Sequence, residues 1–114
     1  MRSAQRFPIH VWTGWIDFSP ALRHHASERI RSLLEQTARR IRSVTVRISD
    51  ADPHKPTHHR CDIDVVTTDA GVVSATSVGV DLFSLVDRTA ETVLETLRAH
   101  ASTSPYTELH RKIA

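Results

Sequence analysis

Two apolar stripes at helical spacing, one in each half of the chain, constrain the fold more than any other feature of this sequence. The first follows Ser19 and Pro20, a capping hydroxyl and a proline at the first helical position. Its members are Leu22, Ala26, Ile30, Leu33, Leu34, Thr37 and Ile41. The second follows Asp81, which can cap a helix, and its members are Leu82, Phe83, Val86, Ala90, Val93, Leu94, Leu97 and Ala101. We therefore predict two amphipathic helices, each with one buried face.

Four segments alternate apolar and polar residues, as half-buried strands do. They span residues 8–13, 44–49, 61–65 and 72–78. The turn TTDAG joins the last two into a hairpin, with Gly71 placed to adopt a positive φ. Because each helix has one apolar stripe and each strand one apolar face, we predict a two-layer α+β fold. Its order is β-α-β-β-β-α, with both helices on one face of a four-stranded sheet.

At 114 residues the chain predicts one domain, because a chain of this length closes a single hydrophobic core. We place that domain at residues 1–101 and interpret residues 102–114 as a mobile tail, in which Tyr106 could order on a partner. The apolar runs are far shorter than the roughly 20 residues of a membrane helix, and no signal-peptide pattern opens the chain. The single cysteine, Cys61, fits a reducing compartment. We therefore expect a cytoplasmic protein with no membrane partner.

The net charge of +2 conceals a strong asymmetry between the two halves of the chain. Residues 1–60 hold 11 Lys and Arg against 5 Asp and Glu, whereas residues 61–114 hold 4 against 8. Most of the basic residues are arginine, whose planar guanidinium suits phosphate recognition and base stacking. An Arg-rich genome would give the same usage. The asymmetry therefore indicates an anionic partner without identifying it.

The residues that could carry catalysis form no recognisable pattern. The three glycines are too scattered for a phosphate-binding loop, and no serine lies in a nucleophile elbow. Cys61 falls in the inward register of its predicted strand, where a buried thiol is inert. Asp62 and Asp64 share the outer face of that strand, where acidic residues usually serve solubility. We therefore expect no enzyme activity, no cofactor and no small-molecule substrate.

Three histidines and a cysteine lie within eight residues of one another, in the loop before the third predicted strand and at the start of that strand. They are His54, His58, His59 and Cys61. These are zinc-ligand types, but their spacing matches no known ligand pattern. Two prolines in the loop and the inward cysteine make convergence on one ion difficult. A solvated loop is the favoured interpretation, and a metal-binding module stays open as a third alternative.

The arginines of the first half are densest on and after the first predicted helix, with six between positions 23 and 42. Glu28 and Glu35 stand three or four residues from Arg31 and Arg39 and neutralise part of this charge. One interpretation is a solvated helix face, and the other is an electrostatic footprint for nucleic acid. On the second interpretation, the candidate RNA contacts are Arg23, Arg29, Arg31, Arg39, Arg40, Arg42 and Arg47.

Two sequence motifs each span the segment that leads into a predicted helix and the start of that helix. The first, IDFSPALRHHASERIRSLL, contains a strand exit, a capped helix start and the first apolar stripe. The second, DAGVVSATSVGVDLFSLVD, contains the fourth-strand hairpin and a helix start that ends in Asp87. Together they resemble the ribosome hibernation-promoting factor and ribosome-associated translation inhibitor family, once described as sigma-54 modulation proteins. The resemblance covers about residues 8–101, the extent of a short or divergent member without the long form's dimerisation domain.

The resemblance implies a fold similar to double-stranded RNA-binding domains. It also implies a protein that binds rRNA in the decoding channel of the small ribosomal subunit under stress or in stationary phase, and so inhibits translation. Structured RNA is recognised largely through phosphates, 2′-hydroxyls and shape, which suits exposed arginines. By the same resemblance, Arg23 and Arg29 match basic positions on the family's first helix, and Arg98 matches one near the end of its second.

The second helix departs from the family pattern, which ends there in a dense basic run. Here Asp87, Glu91 and Glu95 leave the helix acidic. Each lost phosphate contact lowers both the affinity for RNA and its salt dependence. The runner-up hypothesis is therefore a diverged protein-interaction or stress domain on the same fold. It would use the acidic helix, with Leu85 exposed, or the tail around Tyr106.

Overall fold

The computed structural model of the chain describes residues 7–13, 20–37, 40–52, 54, 55 and 57–101. Its elements are β1 (Ile9–Thr13), α1 (Pro20–Leu34), β2 (Ile41–Asp50), β3 (His59–Thr67), β4 (Val72–Gly79) and α2 (Leu82–Ala101). The predicted order β-α-β-β-β-α is therefore confirmed. The predicted cap at Ser19 and the tail at 102–114 lie outside the described residues, so the tail stays a prediction.

The four strands form one sheet in the order β1-β2-β3-β4. Strand β1 runs parallel to β2, and the other two pairs are antiparallel. One face of the sheet is buried beneath the two helices and includes Val46, Ile63 and Ala75. The alternation predicted from the sequence puts the polar residues on the opposite, open face. The predicted two-layer α+β architecture is thus confirmed.

Helix α1 buries the predicted apolar stripe through Leu22, Ala26, Ile30 and Leu34. It ends earlier than the stripe suggested, because the backbone tightens into i to i+3 hydrogen bonds after Leu34. Ile41 is buried, but it is the first residue of β2 rather than part of the helix. Strands β2 and β3 extend beyond the predicted segments because their ends pair with one another.

Helix α2 begins with the predicted cap. The Phe83 amide donates to a carboxylate oxygen of Asp81 over 3.1 Å, and the Ser84 hydroxyl donates to the other oxygen over 2.9 Å. The expectation that Leu85 is exposed is wrong, since only 1% of its surface is accessible. It packs beside Gly79, where a β-carbon would lie 3.5 Å from its methyl group, an ordinary contact.

The chain path places the C-terminal ends of both helices at one end of the sheet. Helix α1 runs back from the end of β1 to the start of the parallel strand β2, and α2 runs back along β4. The β3–β4 turn lies at this same end, where the Thr68 amide donates to the Arg40 carbonyl over 3.2 Å. Gly71 in that turn has φ 71°, as predicted. None of the described helices is long and apolar enough to span a bilayer.

Candidate nucleic-acid interface

The predicted RNA-contact arginines separate in the structure into those that bind acids or carbonyls of this chain and those that face outward. The bound group consists of Arg29, Arg31 and Arg47. The outward group at the C-terminal ends of the helices consists of Arg40, Arg42 and Arg98, all exposed. Arg39 lies outside the described residues, and Arg23 is exposed near the start of α1, at the opposite end.

Arg29 joins the two helices through an arrangement that we call the interhelix ion cluster: His25 and Arg29 on α1, Asp87 and Glu91 on α2. The His25 Nε2 lies 2.8 Å from Asp87 Oδ1, and the Arg29 Nε lies 3.4 Å from the same oxygen. A terminal nitrogen of Arg29 donates to Glu91 over 3.2 Å. Because these side chains are between 31% and 57% exposed, each pair stabilises the helix contact by about 0.5 kcal/mol or less.

The cluster has a sequence signature that charge counting missed. His25 and Arg29 are four residues apart on one helix, and Asp87 and Glu91 are four residues apart on the other. Residues four apart lie on the same side of a helix, so two basic and two acidic side chains meet in register when the helices pack. Much of the acidity noted for α2 is therefore directed at α1.

The open face of the sheet carries a second set of internal ion pairs. Arg47 donates to Asp64 over 2.8 Å, and Arg60 donates to Asp62 over 3.1 Å. The hydroxyls of Ser74 and Thr76 on β4 donate to these same two carboxylates. The two aspartates thus hold neighbouring strands together across the sheet, and this face carries little uncompensated charge.

Trp12 lies on this open face and is 64% exposed, the most of any large apolar side chain among the described residues. It pairs in register with Arg47 across β1 and β2, and the two border a shallow depression of about 340 Å³. A tryptophan beside an arginine is a surface on which a base could stack. Because Asp64 neutralises Arg47, however, this surface attracts phosphate less than the exposed arginines do.

Arg31 contacts Phe7, the described residue that lies two positions before β1. Its guanidinium donates to the Phe7 carbonyl over 3.2 Å and lies 5.2 Å from the centroid of the Phe7 ring. Phe7 itself is 96% buried, since 4% of its surface is accessible. The contact combines a hydrogen bond with a cation–π interaction, so Arg31 fixes the chain just before β1.

The three outward arginines define a surface that we call the basic end: Arg40, Arg42 and Arg98. Arg40 immediately precedes β2, Arg42 is the second residue of that strand, and Arg98 lies in the last turn of α2. Charge density and the family resemblance predict all three as RNA contacts from the sequence, but neither one predicts that they share one end of the molecule. The fold brings Arg98 from the acidic half of the chain to the same end as the other two.

The candidate metal ligands do not converge on one point. Cys61 is fully buried under the helices, His54 is exposed in the loop, and His59 Nδ1 lies 3.8 Å from an oxygen of Asp50. Burial raises the pKa of the Cys61 thiol to about 11, which keeps it protonated near neutral pH. Within the described part of the chain, no three His, Cys, Asp or Glu side chains are placed to hold a metal ion.

Comparison with known proteins identifies a family for this chain and solved structures with the same fold. The family model described as sigma 54 modulation protein / S30EA ribosomal protein matches residues 10–103. A ribosomal subunit interface protein from Coxiella burnetii superposes with a TM-score of 0.67 at 16% identity, covering 84% of this chain and 99% of that one. The N-terminal domain of Protein Y from Thermus thermophilus gives 0.63 at 16% identity, with 86% and 99% covered. No curated protein matches significantly in sequence.

Proposed function

Because the chain belongs to the sigma 54 modulation protein / S30EA ribosomal protein family, we propose that it binds rRNA in the decoding channel of the small ribosomal subunit and inhibits translation under stress. A structural relative is named a ribosomal subunit interface protein, which supports the ribosome as partner. The proposed role is binding in the cytoplasm without catalysis. It requires a surface that attracts phosphate.

The exposed basic end is the observation that carries this proposal. Arg40, Arg42 and Arg98 come from separate elements and are all exposed at one end of the molecule. Several exposed guanidinium groups at one end can make charge-assisted, bidentate hydrogen bonds with the phosphates that line a channel in RNA. The ion-paired arginines would have to break contacts within the chain first. We therefore assign the phosphate contacts to the basic end.

The internal pairing also accounts for how an acidic second helix is compatible with RNA binding. Arg29 neutralises part of the charge of Asp87 and Glu91 within the chain, and His25 lies 2.8 Å from Asp87. The repulsion between α2 and phosphate is therefore smaller than the sequence suggests. Of the basic run expected at the end of this helix, Arg98 is the residue that this chain keeps.

The proposal is tested by sedimenting the purified protein with isolated small subunits through a low-salt gradient. We expect the protein to travel with the small subunits and to stay at the top with isolated large subunits. Arg40→Glu combined with Arg42→Glu should release it. The control, Arg60→Glu with Arg88→Glu, makes the same change in net charge at exposed arginines away from the basic end and should leave it bound.

Two results would contradict the proposal. One is a wild-type protein that stays at the top of the gradient while the small subunits are intact. The other is equal loss of binding in both charge-reversal variants, which would show a dependence on net charge instead of a located surface. Circular dichroism of both variants establishes beforehand that each one is folded.

A further inference from the structure

Strand β4 is an edge strand whose outer side pairs with no other strand among the residues that the structure describes. In the β3–β4 hairpin, the Thr67 amide donates to the Gly71 carbonyl over 2.9 Å, which marks a hydrogen-bonded pair. Since such pairs alternate along an antiparallel ladder, Val73, Ala75 and Ser77 bond to β3. The backbone groups of the alternate residues, Val72, Ser74, Thr76 and Val78, are therefore directed at the free edge.

This edge lacks the features that normally prevent strands from pairing between molecules. Edge strands are usually short, or they carry lysine, proline or a bulge. Strand β4 is eight residues long, contains no charged residue and no proline, and pairs with β3 in a continuous register. Val72 and Val78 on its open face are 61% and 51% exposed. Among the described residues, the strand itself thus offers a template for a further strand.

The residue types along the open face of β4 follow the same order whether the strand is read from its N-terminal or its C-terminal end. That order is valine, hydroxyl, hydroxyl, valine, and its centre is Ala75. We propose that β4 pairs antiparallel with β4 of a second copy of this chain, about a two-fold axis at Ala75. Val72 then lies opposite the partner's Val78, and Ser74 lies opposite the partner's Thr76. Each edge-directed residue finds a hydrogen-bonding counterpart, as an isologous interface requires.

The charges around the edge favour a second copy over a charged partner. The Ser74 and Thr76 hydroxyls already donate to Asp64 and Asp62 of their own chain. Those acids are in turn paired with arginines. The strand itself therefore presents backbone groups and two valines without charge. The cation at this edge, Arg88, lies at the Val78 end, so the two-fold axis places the two Arg88 side chains at opposite ends of the pairing, where the repulsion between them is screened.

Within the described part of the chain, the Arg88 side chain competes with the pairing. Arg88 on α2 donates to the Val78 carbonyl over 2.6 Å, and this oxygen is directed at the free edge. A β-carbon at Gly79 would lie 2.9 Å from the Arg88 nitrogen, so the glycine leaves this contact undisturbed. Arg88 thus occupies one of the acceptors that the partner strand would use, and it keeps the association weak and reversible.

The experiment is sedimentation equilibrium of the purified full chain from micromolar to millimolar concentration, without ribosomes. A single strand pair buries less area than a standard interface, so we expect a dimer with a Kd of roughly 10 to 500 μM. Arg88→Ala should tighten it by about threefold to tenfold, because the freed carbonyl no longer has a competing donor. A mass that stays monomeric up to about 1 mM would overturn the proposal.

A charge exchange tests the register. Val72→Lys and Val78→Glu should each weaken the dimer by about tenfold, because each removes an apolar contact across the axis. The two substitutions combined should restore the dimer, since each introduced lysine faces the partner's introduced glutamate. Val80→Lys is the matched control: Val80 is 60% exposed but follows the end of β4, so the Kd should not change. Equal weakening by the control, or no recovery in the double variant, contradicts the register.

Cross-linking gives a measurement that does not depend on those substitutions. Ser74→Cys and Thr76→Cys chains, mixed and oxidised, should form a disulfide between the two chain types. Opposed residues of a hydrogen-bonded pair have Cα atoms about 5.5 Å apart, within disulfide range. Cys61 is buried and adds no background. Failure of this pairing overturns the interface while leaving the proposed ribosome contact untouched, because no ribosome is present.

Discussion

The interhelix ion cluster and the basic end use arginine for opposite purposes. In the cluster, Arg29 lies within 3.4 Å of acids on the other helix and contributes to how α1 and α2 pack. At the basic end, Arg40 and Arg42 are exposed beside the start of β2. Both regions look alike when charges are counted along the chain. The difference teaches that an arginine becomes a candidate RNA contact only when the fold supplies no acid for it.

Neutralising the basic end should have the largest effect of the changes considered. That effect should be on the affinity for small ribosomal subunits and not on stability. With Arg40→Ala and Arg42→Ala together, the slope of log affinity for small subunits against log salt should become shallower by roughly 1.4 to 1.8, if each arginine contacts one phosphate. Affinity at low salt should fall by at least about tenfold, while the free energy of unfolding stays unchanged. Fluorescence titrations at several salt concentrations measure the slope. An unchanged slope would remove the basic end from the interface.

Reversing the charge in the interhelix ion cluster should affect stability instead. Arg29→Glu places a third carboxylate beside Asp87 and Glu91, and we expect it to lower the free energy of unfolding by about 1 kcal/mol at low salt. Urea denaturation measures this loss. Adding Glu91→Arg should recover part of it. If Arg29→Glu instead abolishes ribosome binding at full stability, the distinction between the two regions fails.

The alkylation rate of the buried Cys61 should distinguish a variant that loses stability from a variant that loses only binding. Burial raises the pKa of this thiol to about 11, so the native protein should react slowly with iodoacetamide at pH 8. Unfolded molecules, whose thiol ionises near the ordinary value, should react much faster. A loss of 1 kcal/mol in Arg29→Glu should therefore speed alkylation by about fivefold where reaction requires unfolding. The Arg40→Ala, Arg42→Ala variant should react at the wild-type rate.

The smallest effect is expected at Arg31, which lies near the basic end but contacts Phe7. Arg31→Lys keeps the positive charge and loses the planar group above the ring. We expect unfolding to become easier by about 0.5 kcal/mol with the salt slope of ribosome binding unchanged. A shallower slope in this variant would mean that Arg31 contacts phosphate as well, and the basic end would then have to be extended to include it.

The fold was largely predictable from the sequence because its signals are local. Helical spacing gave both helices, alternation gave the four strands, and Gly71 marked the hairpin turn. The errors lie at element boundaries, and one of them is Phe83, predicted in the apolar stripe of α2 but 42% exposed in the first turn of that helix. Ile41 continued the apolar spacing of α1 although the helix ends at Leu34, and Leu85 lies at the margin of the apolar arc of α2. Its burial depends on how α2 packs against the sheet, which spacing alone does not reveal.

The candidate interface was less predictable because ion pairing is a property of the folded chain. Charge density selected Arg29 and Arg40 alike, yet the partners of Arg29 lie 62 residues away along the chain. The equal four-residue spacings on the two helices were visible in the sequence, but their meeting depends on how the helices pack. The separation of bound from outward arginines therefore required the structure.

The most direct test is arginine footprinting of the protein on small ribosomal subunits. Phenylglyoxal modifies accessible guanidinium groups, and mass spectrometry locates the modified residues in the free and bound protein. We predict that Arg40, Arg42 and Arg98 become protected on binding, while Arg47 and Arg60 keep the reactivity that they have in the free protein. Protection of Arg47 and Arg60, with the basic end still reactive, would contradict this account and place the contact on the open face of the sheet.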